Sequence, residues 1–136
     1  MNEWLALVIE DDDDLATIFA GALHAAGFDP RIVQAGDTAL AQLADIVPRI
    51  VILDLHLPYV SGADILKQIR ADARLAQTRV IVVTADPRMA DLLEEQPDLV
   101  LIKPISFSQL RDLAARLAPT APSGGSEGFR LPLQPL

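Results

Sequence analysis

Short apolar runs, each four or five residues long, recur along the chain and mark its predicted strands. Most of these runs are continuous rather than alternating, which is typical of strands that helices cover on both faces of a parallel sheet. One run is more polar than the others, as expected for a strand at the edge of a sheet. In chain order the runs are Leu5–Ile9, the more polar Arg31–Ala35, Ile50–Leu53, Val80–Val83 and Leu99–Ile102.

Between these runs the apolar positions change to the spacing of amphipathic helices. A fourth helix, predicted from Asp86-Pro87, is short because Pro97 closes its segment. Strands that alternate with helices through short connections predict a doubly wound α/β fold with right-handed crossovers. The other helical stripes are Leu15, Ile18, Phe19, Ala22, Leu23 and Ala26; Leu40, Leu43 and Ala44; Ile65, Leu66 and Ile69; and Leu110, Leu113, Ala114 and Leu117.

The helix ends carry recognisable signals. Ser106 and Gln109 have the spacing of a capping box, which predicts the start of the last helix. One of the aspartates at positions 12–14 is expected to cap the first helix, and the sequence leaves open which one. Gly27 stands where the C-terminal cap of that helix is predicted.

Composition narrows the class of protein. The chain has 136 residues, of which 51% are hydrophobic and only 4% aromatic, so it suits one domain with an aliphatic core. It contains no cysteine, which excludes disulfides and thiolate metal sites. Its net charge of -8 argues against direct nucleic-acid binding by this chain.

The two termini complete the predicted organisation. Met1–Leu5 lacks the basic-then-apolar order of a signal peptide, and no apolar run is long enough to span a bilayer, so we expect a cytoplasmic protein without membrane contact. Residues 1–119 are predicted to form the domain. Residues 120–136 are rich in Pro, Gly and Ser and are predicted to form a flexible tail, in which Phe129–Leu136 is a candidate docking peptide.

Polar residues that could bind a ligand or take part in catalysis follow four of the five predicted strands. Glu10 and Asp11 follow the first, Asp54 the third, Thr84 the fourth and Lys103 the fifth. In a doubly wound sheet these positions share the edge where ligands bind. Clustered carboxylates suit Mg²⁺, and a carboxylate can act as the nucleophile that accepts a phosphoryl group while an ammonium group neutralises charge.

The chain resembles the receiver domains of response regulators in two-component signalling. The resemblance covers residues 5 to about 118. No single stretch is specific for the family, but the ordered set of four, each after a predicted strand, is. It implies the strand order 2-1-3-4-5. The matching stretches are Val8-Ile9-Glu10-Asp11-Asp12, Ile52-Leu53-Asp54-Leu55-His56-Leu57-Pro58 with Gly62, Val82-Val83-Thr84-Ala85 and Ile102-Lys103-Pro104.

The resemblance also implies roles for individual residues. Asp54 would accept the phosphoryl group from a sensor histidine kinase or a phosphotransfer protein. Glu10, Asp11 and Asp54 would hold Mg²⁺, together with the backbone carbonyl of His56. The histidine side chain is not expected to take part in catalysis.

Two further residues of the resemblance would act on the phosphoryl group itself. Thr84 and Lys103 would each contact a phosphoryl oxygen, and the bond from Lys103 to Pro104 would be the cis peptide usual in the family. The chain would then be a signalling switch that assists only its own phosphotransfer, not an enzyme acting on external substrates.

The chain departs from the family at its expected output surface. Val100 occupies the place where receiver domains usually carry an aromatic ring, and the fourth helix is abbreviated. A receiver-like interaction domain that works without phosphate is therefore the alternative. An aspartate-nucleophile phosphatase fits less well, because His56 stands where such enzymes place a second acid. The sequence does not identify the output partner, and it leaves open whether the chain forms a homodimer.

Overall fold

The computed structural model of the protein describes residues 4–118, so the predicted tail at 120–136 lies outside the described part of the chain. Strands and helices alternate as the hydrophobic pattern predicts. The strands are β1 (Leu5–Ile9), β2 (Asp29–Val33), β3 (Ile50–Asp54), β4 (Arg79–Thr84) and β5 (Leu99–Ile102). The helices are α1 (Asp13–Ala25), α2 (Gly36–Leu43), α3 (Gly62–Ala71), α4 (Pro87–Asp91) and α5 (Phe107–Leu117), with a short 3₁₀ turn at Ala73–Leu75.

All five strands pair in parallel in the order β2-β1-β3-β4-β5. This arrangement confirms the predicted doubly wound α/β fold and its strand order. The strand order reverses direction at β1 and β3, which places a topological switch point at the carboxyl ends of these two strands.

The predicted boundaries of the second strand were wrong by two residues. The strand was expected at Arg31–Ala35, but β2 begins at Asp29 and ends at Val33 because it pairs residue by residue with β1, from Leu5 to Ile9. Pro30 is tolerated within it because β2 is an edge strand, where a missing N–H group can face away from the sheet. Ala35 instead caps the start of α2.

Two apolar layers cover the sheet. On one face α1 and α5 pack against the sheet, and Phe19 and Leu110 are fully buried there. On the other face α2, α3 and α4 meet the sheet, with Ile65 and Leu66 at the centre. Within residues 4–118 no helix is long and apolar enough to cross a membrane.

The caps resolve what the sequence left open. Asp12 is the N-cap of α1 and accepts a hydrogen bond from the backbone N–H of Leu15 at 2.9 Å. Asp86 and Ser106 cap α4 and α5 as predicted. Gly27 adopts a φ of 99° just beyond α1, the left-handed conformation that favours glycine at a helix C-terminus.

The loop between β3 and α3 makes a tight turn next to the carboxyl end of the sheet. The N–H of Val60 donates to the carbonyl of Pro58 at 2.9 Å, and the intervening Tyr59 has a φ of 71°. Such a conformation costs a residue other than glycine about 1 kcal/mol. The N–H of Gly36 also donates to the Pro58 carbonyl, at 3.3 Å, and holds the turn against the start of α2.

Gly62 allows α3 to begin in direct contact with the strand that carries Asp54. A Cβ atom on Gly62 would lie 2.2 Å from the backbone carbonyl oxygen of Asp54 and 2.6 Å from the Cα of Leu55. Both contacts are with backbone, which cannot rotate away. Glycine at this position is therefore a steric requirement of the site.

We expect Gly62→Ala to lower the free energy of unfolding by about 1–3 kcal/mol, the usual cost of overpacking. Gly21→Ala is the matched control, because its new Cβ would meet only the partly exposed Phe107 ring, at 3.3 Å. Alanine within α1 should leave stability unchanged or raise it by up to about 1 kcal/mol. Urea denaturation of both variants measures this, and equal effects would contradict the steric account.

Candidate functional site

Four strands deliver the candidate residues to one edge of the sheet. Glu10 and Asp11 follow the last residue of β1, Asp54 ends β3, Thr84 ends β4, and Lys103 follows β5. Because parallel strands end at the same edge, all five residues lie at the carboxyl end of the sheet. The Lys103-Pro104 peptide bond is cis, which confirms that expectation.

Lys103 links two of the acids. Its Nζ lies 2.9 Å from Oε1 of Glu10 and 3.5 Å from Oδ2 of Asp54. Glu10, Asp11 and Asp54 each offer a carboxylate oxygen within 4.8 Å of the others. One ammonium group thus stands against three carboxylates.

Backbone groups fix the two buried acids. Asp54 is 3% exposed, and its Oδ1 accepts a hydrogen bond from the N–H of His56 at 3.0 Å. Glu10 is fully buried, and its Oε2 accepts from the N–H of Asp12 at 3.2 Å. Asp11 is exposed, so the site has two rigid acids and one accessible acid.

Burial sets the protonation of this cluster. Burial and, to a smaller extent, the charge of Asp54 raise the pKa of Glu10 from its ordinary value of 4.5 to about 7, against the opposing contact with Lys103. For Lys103, burial opposes the charged form, but the contact with Glu10 and the charge of Asp54 outweigh it and raise the pKa. The ammonium group is therefore charged at neutral pH.

Two oxygen atoms of residues that line the hollow, one on Glu10 and one on His56, lack a hydrogen-bond partner among the described residues. Oε1 of Glu10 is buried and receives no aligned hydrogen bond from the described residues, although the Lys103 ammonium lies close to it. The carbonyl of His56 likewise accepts no hydrogen bond within residues 4–118. Carboxylate and carbonyl oxygens with open positions are the donors that suit Mg²⁺, so the residues fit this ion.

Thr84 is the one predicted site residue whose side chain is engaged elsewhere. It is 2% exposed, and its Oγ1 accepts the backbone N–H of Asp86 at 3.1 Å and donates to the Asp86 carbonyl at 3.3 Å. The hydroxyl therefore closes the turn between β4 and α4.

A hollow of about 700 Å³ opens over the cluster. The turn after β4 and the first turn of α4 form one wall of this hollow. The residues of that wall were not predicted from the sequence to belong to the site. The contact with Arg88 lowers the pKa of Asp86, so this wall carries a carboxylate that is already paired with an arginine. The position of these wall residues directly after β4 is the sequence feature that could have identified them as part of the site. The lining residues missed from the sequence are Asp12, Leu15, Ala85, Asp86 and Met89.

Comparison with known proteins gives a consistent result. The family described as "Response regulator receiver domain" matches residues 6–115. The sensory transduction protein RegX3 of Mycobacterium tuberculosis is 37% identical over 124 residues, which are 89% of this chain and 52% of that protein. A putative transcriptional regulator of Haloferax volcanii is 34% identical over 94% of this chain and 21% of its own length. The chain thus spans about half or less of these relatives.

Solved structures show the same fold. The CheY-like response regulator receiver domain from Methylobacillus flagellatus has a TM-score of 0.72 and 28% identity, over 85% of this chain and 98% of that one. The response regulator TrrA of Thermotoga maritima, solved in complex with Mg²⁺-BeF, has a TM-score of 0.75 and 23% identity over 85% and 99%. On its sequence and its fold, this chain belongs to the receiver domain family of two-component response regulators.

Proposed function

We propose that this receiver domain is a phosphorylation-controlled switch in which Asp54 accepts a phosphoryl group and partner binding changes in response. The donor would be a sensor histidine kinase or a phosphotransfer protein. The observation that carries the proposal is the position of Lys103, which lines the hollow and whose ammonium group contacts both the buried Glu10 and Asp54.

The chain's own groups can perform the transfer. The His56 N–H holds one oxygen of Asp54 and thereby orients the carboxylate toward the hollow. The carboxylate attacks the phosphorus of a phosphohistidine; a P–O bond forms, the P–N bond breaks, and its electron pair stays on the imidazole nitrogen. Lys103 then offsets negative charge on the phosphoryl oxygens, since such transfer depends mainly on positioning and electrostatics.

The same residues would hold Mg²⁺. Glu10, Asp11 and Asp54 would bind the ion together with the carbonyl of His56, whose oxygen lacks a partner among the described residues. Bound there, Mg²⁺ would neutralise charge on the transferring phosphoryl group. The Mg²⁺-BeF complex of TrrA supports this assignment.

Thr84 would act as the sensor of the phosphoryl group. To donate to a phosphoryl oxygen its hydroxyl must leave the carbonyl of Asp86. Asp86 is the N-cap of α4, so this exchange would alter the start of that helix. Phosphorylation would thereby reach the surface formed by α4 and β5, where the chain departs from the family.

The alternative, a receiver-like interaction domain that works without phosphate, has its own support. Helix α4 has only five residues, none of them buried, and Val100 at the usual ring position is 39% exposed. The ring-based relay of the family therefore has no counterpart here. The intact cluster of Glu10, Asp54 and Lys103 favours the phosphorylated switch.

We assign no DNA contact to this chain, whose net charge is -8. Some relatives are named DNA-binding response regulators, such as MtrA of Mycobacterium leprae, but the chain covers 46% of that protein. Contact with DNA would then belong to other parts of such proteins.

The direct test is the intact mass of the protein after incubation with acetyl phosphate, with and without Mg²⁺. We expect a gain of one phosphoryl group only with Mg²⁺, and no gain in Asp54→Asn. Asp64→Asn is the matched control, because Asp64 is an exposed aspartate in the first turn of α3 and should not affect the gain. A folded protein that gains no mass, while a known receiver domain does, would support the phosphate-independent alternative.

The buried Glu10 also makes stability depend on pH. Its pKa is 4.5 in the unfolded chain and about 7 in the folded protein, so between these values the folded protein binds more protons. The stability that this group contributes is complete below about pH 4.5 and is lost as the pH rises through 7.

We therefore expect the free energy of unfolding of the metal-free protein to fall, relative to Glu10→Gln, by up to about 3 kcal/mol between pH 5 and pH 8. Urea titrations in EDTA measure the difference. Glu94→Gln, at a residue whose side chain is 80% exposed, should keep the wild-type pH dependence. If all three proteins show parallel curves, Glu10 is not the titrating group.

A further inference from the structure

The two edges of the sheet are protected differently. The β2 edge carries Pro30 and the charged Arg31 within the strand, features that discourage pairing with another strand. The β5 edge is Leu-Val-Leu-Ile, without charge or proline. An apolar edge strand of this kind is open to the addition of a further strand.

The backbone of β5 presents hydrogen-bonding groups to that edge. Lys103 donates its N–H to the carbonyl of Thr84 in β4, at 2.9 Å. Because the direction of backbone groups alternates along a strand, the N–H and C=O groups of Val100 and Ile102 point away from β4. Within residues 4–118, β5 pairs with β4 alone.

The side chains at this edge are also uncovered. Val100 and Ile102 lie on the face of α3 and α4 and are 39% and 44% exposed, because α4 ends at Asp91. Leu92, just beyond that helix, is 80% exposed. A hollow of about 480 Å³ lies beside Val100, between β5 and the segment after α4. The edge thus offers both unpaired backbone and space for apolar side chains.

We propose that Phe129–Leu133 of this same chain binds along the outer edge of β5 as a sixth strand. In this segment Phe129, Leu131 and Leu133 alternate with polar residues or proline. In an extended strand these three residues share one face, and their backbone groups point to the same side. If that side faces β5, the missing N–H of Pro132 falls on the outer side, where it costs no pairing.

The connection to the domain is long enough. Leu117 and Ala118, at the end of α5, pack on the same apolar layer as Leu99 of β5. The ten residues 119–128 can span up to about 35 Å, more than the length of a four-residue strand. For a tether of ten residues the effective concentration of the attached segment near β5 is on the order of 1 mM, so even weak pairing would be populated. This inference goes beyond the phosphorylation switch and is independent of it.

The test is amide hydrogen exchange, followed by NMR at Val100 and Ile102 in the 136-residue chain. In the wild type these amides should be protected. In the double variant Leu131→Ser, Leu133→Ser their exchange should be faster by about tenfold or more. The matched double variant Arg130→Ser, Gln134→Ser changes the opposite face of the segment and should exchange within about twofold of the wild type.

The amide of Leu101, which points to β4, serves as the internal reference and should be unchanged in all three proteins. Equal exchange of Val100 and Ile102 in the wild type and the Leu131, Leu133 variant would overturn the proposal. Protection that survives this variant and increases with protein concentration would also overturn it, by assigning the edge to a second copy of the chain.

Discussion

The register of the parallel sheet is the constraint on which the rest of this molecule depends. Asp54 pairs with Val83, and Thr84 pairs with Ile102, so the ends of β3, β4 and β5 are level. A slip of one residue would turn every side chain of a strand to the opposite face. The two faces bury different side chains, with Ile52 in one apolar layer and Leu53 in the other, so a slip would exchange the two sets. At the end of β3, Gly62 lets α3 begin in direct contact with the backbone of Asp54.

The buried charged groups at the carboxyl edge of the sheet lower the stability of the fold. Burying Glu10 is unfavourable, as its raised pKa shows, and the N–H of Asp12 and the ammonium group of Lys103 only partly compensate. A pair of this kind is seldom a net source of stability, because desolvation offsets the attraction. What it provides is a fixed arrangement of oxygen atoms that favours a cation or a phosphoryl group.

The sequence predicted the elements and the members of the cluster well, because both follow from local signals. Continuous apolar runs identify buried strands, and residues directly after parallel strands meet at one edge. It failed where tertiary contacts decide. Pairing with β1 moved β2 toward Asp29. The hydrogen bonds between the Thr84 hydroxyl and Asp86 were not foreseen, while the contact of Thr84 with a phosphoryl oxygen stays a prediction. The left-handed Tyr59 has no local signal either, since contact with Gly36 holds its turn.

The surface around β5 is where the chain departs from the family, and the departure changes which groups are exposed. A short α4 and the absence of a ring at Val100 leave backbone and side chains of an edge strand exposed. The loop after α4 is nevertheless fixed, because Arg70 of α3 contacts Asp98 at 3.1 Å and the carbonyl of Gln96 at 3.0 Å. The exposed face is therefore a defined surface. Its use by a partner or by the chain itself is a separate matter from the chemistry at Asp54.

The most direct measurement is a crystal structure of the protein with Mg²⁺ and beryllofluoride, a mimic of the phosphoryl group. The account predicts beryllium bonded to a carboxylate oxygen of Asp54, with Lys103 in contact with a fluorine. It also predicts the ion held by Glu10, Asp11, Asp54 and the carbonyl of His56. Beryllofluoride bound elsewhere, or an acidic cluster that takes up neither ligand while Lys103 stays paired with Glu10, would contradict the proposed switch.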